Sequence, residues 1–310
     1  MRRGTNARLY GGIEGGGSKF VCAVATSPDG LLESATVPTR DVGTTLAACV
    51  QFFEAAEQRH GPIDAFGFAC FGPLELRPDA SDFGRMLSTP KQGWSGAALL
   101  EPLRSAFDVP VALDTDVGAA ALAEWRLGAG TGVGSLAYVT VGTGIGGAVV
   151  PLDPSATRLM HAEMGHLLVR RDPRDLEFAG VCPFHGDCLE GLASGPAIRA
   201  RWGPTLDALA TDHVGSAVIA GYLGQLAASI ALITSVERIV FGGGVMSGAD
   251  LLPRVRAAAL EYLNGYLAPL QNVERATAYI CAPALGADAG ILGSLLLAMR
   301  ARKLRDAEPA

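Results

Sequence analysis

Two glycine-rich turns, each between two short apolar segments, constrain this chain more than any other feature of its sequence. The first is GGGSK (residues 15–19) and the second is GTGIGG (residues 142–147), and both belong to a chain with 40 glycines among 310 residues. The flanking apolar runs predict strands, so each turn is predicted to be the tip of a strand pair. A strand–turn–strand unit therefore opens each half of the chain.

Glycine turns of this kind suit phosphate binding, because backbone N–H groups without a neighbouring Cβ atom can approach a phosphate closely. The first turn adds the Ser18 hydroxyl and the Lys19 cation, and the second adds Thr143. Neither turn has the Walker A pattern, and the second joins two strands instead of opening a helix as a dinucleotide-binding turn does. An ordinary glycine hairpin is the alternative for either turn alone, but two similar turns favour phosphate binding.

Further apolar runs predict an alternation of strands and helices. Strands are predicted at about 31–39 and 63–72, and helices at about 44–59, 215–234 and 284–304. Two α/β units of this kind predict two domains with a cleft between them, which is a usual place for a ligand.

Composition narrows the possible partners and compartments. The chain is 49% hydrophobic and 18% charged, with a net charge of −6 and no run of lysine and arginine, so nucleic-acid and membrane-surface roles are not supported. Its first residues carry positive charge without a following apolar stretch, unlike a signal peptide. The predicted compartment is the cytoplasm, where six cysteines are expected to be free thiols or metal ligands.

An aspartate stands between a predicted strand and a predicted helix. In VPVALDTDVGAAALAEWRLGAG (residues 109–130), an apolar strand leads to Asp116, and an alanine-rich helix ends near Gly128. Asp116 is predicted to cap this helix, because a carboxylate accepts the free N–H groups of a first turn. A general base at the carboxyl end of a strand is a second, compatible interpretation, since ligands of open α/β sheets bind there.

Histidine and cysteine side chains cluster in the middle of the chain. His166 is followed sixteen residues later by Cys182, and then by His185 and Cys188. Four nitrogen and sulfur ligands suit a tetrahedral zinc ion with no position left for water, which predicts a structural zinc site. Chance clustering of thiols is the alternative, and a disulfide is less favoured in a reducing compartment.

Two carboxylates flank this cluster. Glu163 lies three residues before His166, and Glu190 lies two residues after Cys188. A bound metal would hold both in fixed positions, although solvated surface charge is the alternative interpretation of each.

Together these motifs resemble the ROK family of sugar kinases and, within it, the bacterial fructokinases. The resemblance extends from Tyr10 to about Arg302, and its specificity lies in the order and spacing of the motifs. The matching segments are EGGGSK (14–19), GTGIGG (142–147), EMGH (163–166), CLEG (188–191), FGGGV (241–245) and GADAG (286–290).

The resemblance implies an actin-like (ribonuclease H-like) ATPase fold with two α/β domains and an interdomain cleft. The smaller domain is expected at 1–114 plus about 286–310, and the larger at 115–285 with a zinc-binding loop at about 161–191. The implied cofactors are ATP, Mg²⁺ and a structural Zn²⁺. The implied partners are a sugar and a nucleotide, without nucleic acid or membrane, and the expected assembly is a homodimer.

The family's functional residues transfer to matching positions of this chain, and the implied reaction is ATP-dependent phosphorylation of D-fructose to fructose 6-phosphate. Asp116 matches the catalytic base. The predicted sugar contacts are Gly72, Thr115, Asp116, Glu163, His166 and Glu190. The predicted ATP contacts are Gly16, Gly17, Ser18, Lys19, Gly142, Thr143, Gly144, Gly243 and Gly244. The predicted zinc ligands are His166, Cys182, His185 and Cys188.

Some positions depart from the family pattern. Glu14 replaces the usual aspartate ahead of the first turn, and Gly118 replaces an asparagine two residues after the base. The pair Thr115–Asp116 and the Cys-x₂-His-x₂-Cys spacing are the fructokinase forms of their motifs. STPKQGW (residues 88–94) is also similar to a fructokinase segment and is expected to line the sugar site.

Three other functions are compatible with parts of this pattern. A kinase for mannose or glucose would share every motif, because pocket contacts decide the substrate. A non-catalytic sugar-binding protein is compatible with the changes at Glu14 and Gly118. A sugar-responsive repressor is disfavoured, because about nine residues precede the first strand and the charge is unfavourable for DNA.

Overall fold

Two β-sheets and their surrounding helices make up the part of the chain that a computed structural model describes, namely residues 8–151, 159–210, 213–248 and 250–307. The strands are β1 (Tyr10–Gly15), β2 (Lys19–Ala25), β3 (Leu31–Pro38), β4 (Ala65–Cys70), β5 (Val111–Thr115), β6 (Leu136–Val141), β7 (Ile145–Val150), β8 (Arg238–Gly242) and β9 (Ile280–Cys281). The helices are α1 (Val42–His60), α2 (Glu101–Ala106), α3 (Asp116–Leu127), α4 (Leu189–Ala193), α5 (Gly195–Trp202), α6 (Val214–Thr234), α7 (Leu251–Leu263), α8 (Val273–Tyr279) and α9 (Ala289–Ala307).

The first sheet has the strand order β3-β2-β1-β4-β5. β1 and β2 form the predicted antiparallel pair, and β1, β4 and β5 run parallel. The register places Gly15 beside Cys70, and Cys70 beside Thr115. The three carboxyl ends therefore form one edge, which carries the first glycine turn, Gly72 and Asp116.

The second sheet repeats this arrangement with fewer strands, in the order β7-β6-β8-β9. β6 and β7 are antiparallel around the second glycine turn, and β8 runs parallel to β6 with Gly242 beside Thr140. The second glycine turn and the pair Gly243–Gly244 therefore follow neighbouring strand ends at one edge of this sheet.

The chain divides into two compact units. Unit 1 comprises the described residues of Met1–Ala123, Asp153–His161 and Ala287–Ala310, and unit 2 those of Glu124–Leu152 and Ala162–Gly286. Each unit contains one sheet and its own hydrophobic core. The domain limits expected from the sequence, 1–114 with about 286–310 and 115–285, stay a prediction.

Glycines let α9 lie directly on the first sheet. A Cβ atom at Gly67 would lie 1.8 Å from the carbonyl oxygen of Ser294, and one at Gly12 would lie 2.5 Å from its Oγ. Any side chain at these two positions would push the helix away from the strands. The high glycine content therefore contributes to packing as well as to the turns.

α6 is long and apolar enough to cross a membrane by length and composition alone, with a mean hydropathy of 1.7 in its most apolar window. However, 61% of that window is buried inside the protein, and residues such as Tyr222, Leu223 and Leu226 belong to the core of unit 2. The helix therefore fits the role of a core helix.

Candidate functional site

The first glycine turn is supported through its carbonyl groups. The hydroxyl of Thr39 donates to the carbonyl of Gly16 over 2.8 Å, and the Lys91 ammonium donates to that of Gly17 over 2.6 Å. The N–H groups of Gly17 and Ser18 have no hydrogen-bond partner among the described residues. A Cβ atom at Gly17 would meet no atom of the described residues within 4 Å, so they leave the tip open to a ligand. Free N–H groups at an open tip fit a phosphate oxygen.

Thr115, and not Asp116, caps α3. The helix begins at Asp116, and the Gly118 N–H donates to the Thr115 hydroxyl over 3.0 Å, which is the usual bond of an N-cap residue. The predicted cap at Asp116 is therefore wrong by one residue, because a hydroxyl at 115 already satisfies this N–H group. The Asp116 carboxylate instead accepts the N–H of Val117 over 2.8 Å.

The structure gives a local explanation, not evident from the sequence, for the glycine at position 118. A Cβ atom at this position would lie 2.4 Å from Oδ1 of Asp114 and 2.9 Å from Oγ1 of Thr115. Asp114 itself accepts the Thr115 N–H over 2.7 Å. The Asp114 carboxylate thus occupies the space that a larger residue at 118 would need.

Burial and like charges perturb two carboxyl groups at this edge of the sheet. Burial raises the pKa of Asp116. Burial also raises the pKa of Glu14 to about 7, with further upward contributions from Asp116 and Asp288 and an opposing one from Lys19. A Cβ atom at Gly290, in the first turn of α9, would lie 2.2 Å from Oε1 of Glu14. The longer acid at position 14 therefore depends on a glycine in the GADAG segment.

Gly72 follows β4 and lies beside the imidazole of His161. A Cβ atom at Gly72 would come within 3.4 Å of that ring, and the Leu74 N–H donates to Nε2 of His161 over 3.1 Å. His161 was not among the predicted site residues, because it lies 87 positions from Leu74 in the chain. The sugar contact predicted for Gly72 stays a prediction.

The second glycine turn is fixed at its start and leaves its middle free. The carbonyl of Gly142 accepts the Gly195 N–H at the start of α5 over 2.8 Å. The N–H groups of Thr143 and Gly144 have no hydrogen-bond partner among the described residues. The neighbouring Gly243 has φ of 92°, and a Cβ atom there would lie 2.4 Å from the Val141 carbonyl oxygen. Two free N–H groups thus recur at the second turn.

The four predicted zinc ligands converge in unit 2. Their ligand atoms all lie within 4.8 Å of one another. Nδ1 of His166 lies 3.7 Å from Sγ of Cys182 and 3.6 Å from Sγ of Cys188, and Nδ1 of His185 lies 3.8 Å from Sγ of Cys182. Bonds of about 2.0–2.3 Å to a tetrahedral zinc ion would separate ligand atoms by about 3.3–3.8 Å, so the cluster fits Zn²⁺. The two cysteines are free thiols, without the alternative disulfide.

The two flanking carboxylates have different surroundings. Glu163 is exposed directly ahead of the helical turn Met164–His166. Glu190 is half-buried in the first turn of α4, and its Oε2 accepts the Ile145 N–H over 2.8 Å. Glu190 therefore contacts the second glycine turn, which neither of its two sequence interpretations foresaw.

Each unit brings together a different subset of the predicted site residues. Unit 1 places at one sheet edge Gly16, Gly17, Ser18, Lys19, Gly72, Thr115 and Asp116. Unit 2 places Gly142, Thr143, Gly144, Gly243 and Gly244 at one sheet edge, and joins that edge through Glu190 to the segment that contains the four predicted zinc ligands.

Sequence reasoning missed the contacts of Asp114 and Lys91. Both residues belong to motifs that the sequence analysis had already identified, DTD and STPKQGW, so the sequence did indicate the segments in which they lie. Their partners could not be found in this way, because Lys91 reaches a carbonyl 74 positions away. The sugar-lining role expected for residues 88–94 stays a prediction.

Comparisons with known proteins agree with this architecture. The family model described as ROK family matches residues 10–301. A fructokinase from Zymomonas mobilis subsp. mobilis is 42% identical over 299 residues, covering 95% of this chain and 97% of that protein. A fructokinase from Pediococcus pentosaceus is 35% identical, covering 95% of this chain and 99% of that protein.

A solved structure gives the same result for the fold. The ROK hexokinase from Thermus thermophilus superposes with a TM-score of 0.76 at 29% identity, covering 96% of this chain and 100% of that one. The predicted actin-like ATPase fold is thereby confirmed. With a family match over nearly its whole length and relatives above 30% identity, the chain belongs to the ROK family.

Proposed function

We propose that this chain is an ATP-dependent sugar kinase that converts D-fructose to fructose 6-phosphate, with Asp116 as the general base. The observation that carries the proposal is the half-buried Asp116 carboxylate at the sheet edge that bears the first glycine turn. Because Thr115 caps α3, this carboxylate is not needed as the helix cap. The fructokinases of Zymomonas mobilis and Pediococcus pentosaceus support fructose as the substrate. Another hexose is the alternative, which the Thermus thermophilus hexokinase supports.

Asp116 accepts the proton of the 6-hydroxyl as the hydroxyl oxygen attacks the γ-phosphorus of ATP in line. The Val117 N–H holds the carboxylate in one orientation, and the raised pKa of Asp116 makes it a stronger base than an exposed aspartate. Most of the acceleration comes from positioning and charge neutralisation, because phosphoryl transfer requires little else.

The glycine turns bind the phosphates through their free N–H groups, at Gly17 and Ser18 in the first turn and at Thr143 and Gly144 in the second. The Lys19 ammonium adds a positive charge beside the first. The other glycines predicted to contact ATP lie in or beside these turns, namely Gly16, Gly142, Gly243 and Gly244.

The carboxylates of Glu14 and Asp288 suit a hard cation such as Mg²⁺, which prefers oxygen ligands. When bound with ATP, Mg²⁺ neutralises charge on the phosphate oxygens. Zinc is structural in this proposal, because His166, Cys182, His185 and Cys188 fill a tetrahedron and leave no position for water.

Glu163, His166 and Glu190 contact the other sugar hydroxyls. His166 would hold zinc through Nδ1, which would leave Nε2 on the opposite side of its ring for a hydroxyl. Glu190 uses Oε2 for the Ile145 N–H and keeps Oε1 for a hydroxyl. Gly72 and Thr115 complete the proposed sugar site. A homodimer in the cytoplasm remains the expected form of the enzyme.

Substrate identity is tested by ADP release with Mg-ATP and fructose, mannose or glucose side by side. We expect fructose to give the highest kcat/KM. If mannose or glucose gave the highest value, fructose would be wrong as the substrate and the kinase assignment would stand. ADP release that no sugar accelerates would contradict the kinase assignment itself.

The general base is tested by Asp116→Asn, with the exposed Asp108→Asn as the matched control. Loss of the proton acceptor is expected to lower kcat by about 10²–10⁴-fold, because that is the usual contribution of general base catalysis. The sugar dissociation constant, measured by calorimetry, should change little. Near-normal turnover of the Asp116 variant would overturn the assignment of the base.

A further inference from the structure

The segment that contains the predicted zinc ligands contacts the second glycine turn through the backbone N–H and carbonyl groups of Ile145. Ile145 closes that turn and is buried, with 3% of its surface exposed. Its N–H donates to Oε2 of Glu190 over 2.8 Å, and Glu190 stands two residues after Cys188. A hydrogen bond from a buried N–H to a carboxylate is among the stronger contacts of this kind.

The carbonyl side of Ile145 is held by the segment around another zinc ligand. A Cβ atom at Gly165 would lie 2.1 Å from the carbonyl oxygen of Ile145, so the backbone at 165 rests directly on it. A Cβ atom at Gly147 would likewise lie 2.4 Å from the Met164 sulfur. Gly165 and Met164 immediately precede His166. Residues within two positions of two predicted zinc ligands therefore contact the N–H and the carbonyl of Ile145 and its strand.

Gly144 shows that the Glu190 contact also shapes the middle of the turn. A Cβ atom at Gly144 would lie 2.6 Å from Oε2 of Glu190, so the carboxylate lies against the backbone of the residue whose N–H is free. Removing the carboxylate would free the Ile145 N–H and open space beside Gly144. The conformation of the phosphate-facing part of the turn thus depends on Glu190.

We infer that Glu190 is a positioning residue for the second glycine turn, and that through it the zinc-bearing segment controls nucleotide binding as well as sugar binding. The inference rests on the proposed function, namely that the turn binds ATP phosphates and that the zinc-bearing segment contacts the sugar. A residue that only contacts sugar would leave the turn and nucleotide affinity unchanged when it is replaced.

Hydrogen–deuterium exchange of the peptide 141–150 tests the contact without reference to catalysis. Glu190→Ala is expected to raise exchange at the Ile145 amide by about tenfold, because a hydrogen bond to a charged group is lost. Glu190→Gln keeps an acceptor oxygen and should raise it less. Glu177→Ala removes an exposed carboxylate from the same zinc-bearing segment and serves as the matched control.

Nucleotide binding is measured on the same zinc-loaded proteins, by calorimetry with the Mg²⁺ complex of a non-hydrolysable ATP analogue and without sugar. We expect Glu190→Ala to raise the dissociation constant about tenfold, Glu190→Gln about threefold, and Glu177→Ala not at all. Metal analysis confirms that each variant retains one zinc ion, so that loss of the metal does not account for the result.

Three outcomes separate this inference from the proposed function. Unchanged exchange at Ile145 and unchanged nucleotide affinity in a zinc-loaded Glu190→Ala protein would overturn the positioning role, even if the protein phosphorylates fructose. Raised exchange with weakened nucleotide binding would support it, even if the substrate were another sugar. Raised exchange with unchanged nucleotide affinity would also overturn it, because the turn would then move without consequence for the nucleotide.

Discussion

The two glycine turns connect strands that are paired in the same way, but they have different supports. Each lies between antiparallel strands whose first member pairs in parallel with another strand. In the described part of the chain, each has two N–H groups at its tip without a hydrogen-bond partner. The first turn is held by Thr39 and Lys91, which donate to its carbonyls. The second is held by Glu190, which accepts from an N–H, and by a backbone contact with Gly165.

The carboxylate nearest to each turn has a correspondingly different role. Glu190 is committed to the backbone of the second turn, whereas Glu14 lies at the end of β1 with Asp116 and Asp288 as charged neighbours. A carboxylate with a fixed N–H partner can stabilise a loop. One that is buried among like charges instead gains affinity for a proton or a cation. The repeated strand–turn–strand pattern therefore does not imply a repeated site.

The largest expected difference is the loss of stability when a glycine that contacts the second turn, or one within the first turn, is replaced by alanine. Gly165→Ala would place a Cβ atom 2.1 Å from a backbone oxygen, which cannot move as a flexible side chain does. We expect a loss of about 3 kcal/mol in the free energy of unfolding, measured with urea. Gly17→Ala meets no atom within 4 Å and should change it by less than about 1 kcal/mol. Equal effects of the two substitutions would contradict the difference in support.

The second prediction concerns the pH dependence that Glu14 gives to unit 1. The pKa of Glu14 rises from 4.5 to about 7 on folding, so the folded state retains a proton that the unfolded state releases between these values. The contribution of Glu14 to stability is therefore highest below pH 4.5 and falls as the pH rises towards 7.

Glu14→Gln should remove the fall in stability that the titration of Glu14 causes as the pH rises. Without Mg²⁺ or nucleotide, we expect the variant to be more stable than the wild type by about 2 kcal/mol at pH 8, and by less than about 0.5 kcal/mol at pH 4. Urea unfolding at both pH values measures the effect, with the exposed Glu54→Gln as the control. A constant difference across this pH range would show that the Glu14 pKa is not raised.

The smallest expected effect is that of the exposed support of the first turn. Lys91→Met removes the donor to the Gly17 carbonyl and should weaken binding of the Mg²⁺–ATP analogue by about two- to threefold, because exposed contacts contribute little. Hydrogen exchange should rise in 15–20 and stay unchanged in 141–150. The exposed Lys303→Met is the control for loss of charge. Exchange that rose equally at both turns would contradict their separate supports.

Much of the fold could be predicted because it depends on local patterns. The strand predicted at about 31–39 is β3 (Leu31–Pro38), and the helix predicted at about 215–234 is α6 (Val214–Thr234). The His/Cys cluster predicted to bind zinc could equally be found, since residues 182–188 form a compact knuckle and only His166 comes from a neighbouring segment. These features depend on the spacing of residues along the chain, and this spacing can be read from the sequence.

The supports of the site could not be predicted, because they join residues far apart in the chain. Glu190 meets Ile145 across 45 positions, and Lys91 meets Gly17 across 74. The cap of α3 was wrong by one residue for a different reason. Both Thr115 and Asp116 are good capping residues, and the backbone position of the first helical turn selects between them.

The sequence by itself determined the two glycine turns, the His/Cys cluster, the aspartate after β5 and, through the order of these motifs, membership of the ROK family. Only the tertiary structure decided that Asp114 requires Gly118, that Glu14 lies against Gly290, and that Glu190 holds the second turn. The physical reason is range: turn and strand preferences act between chain neighbours, whereas carboxylate contacts and close backbone approach depend on which segments the sheets bring together.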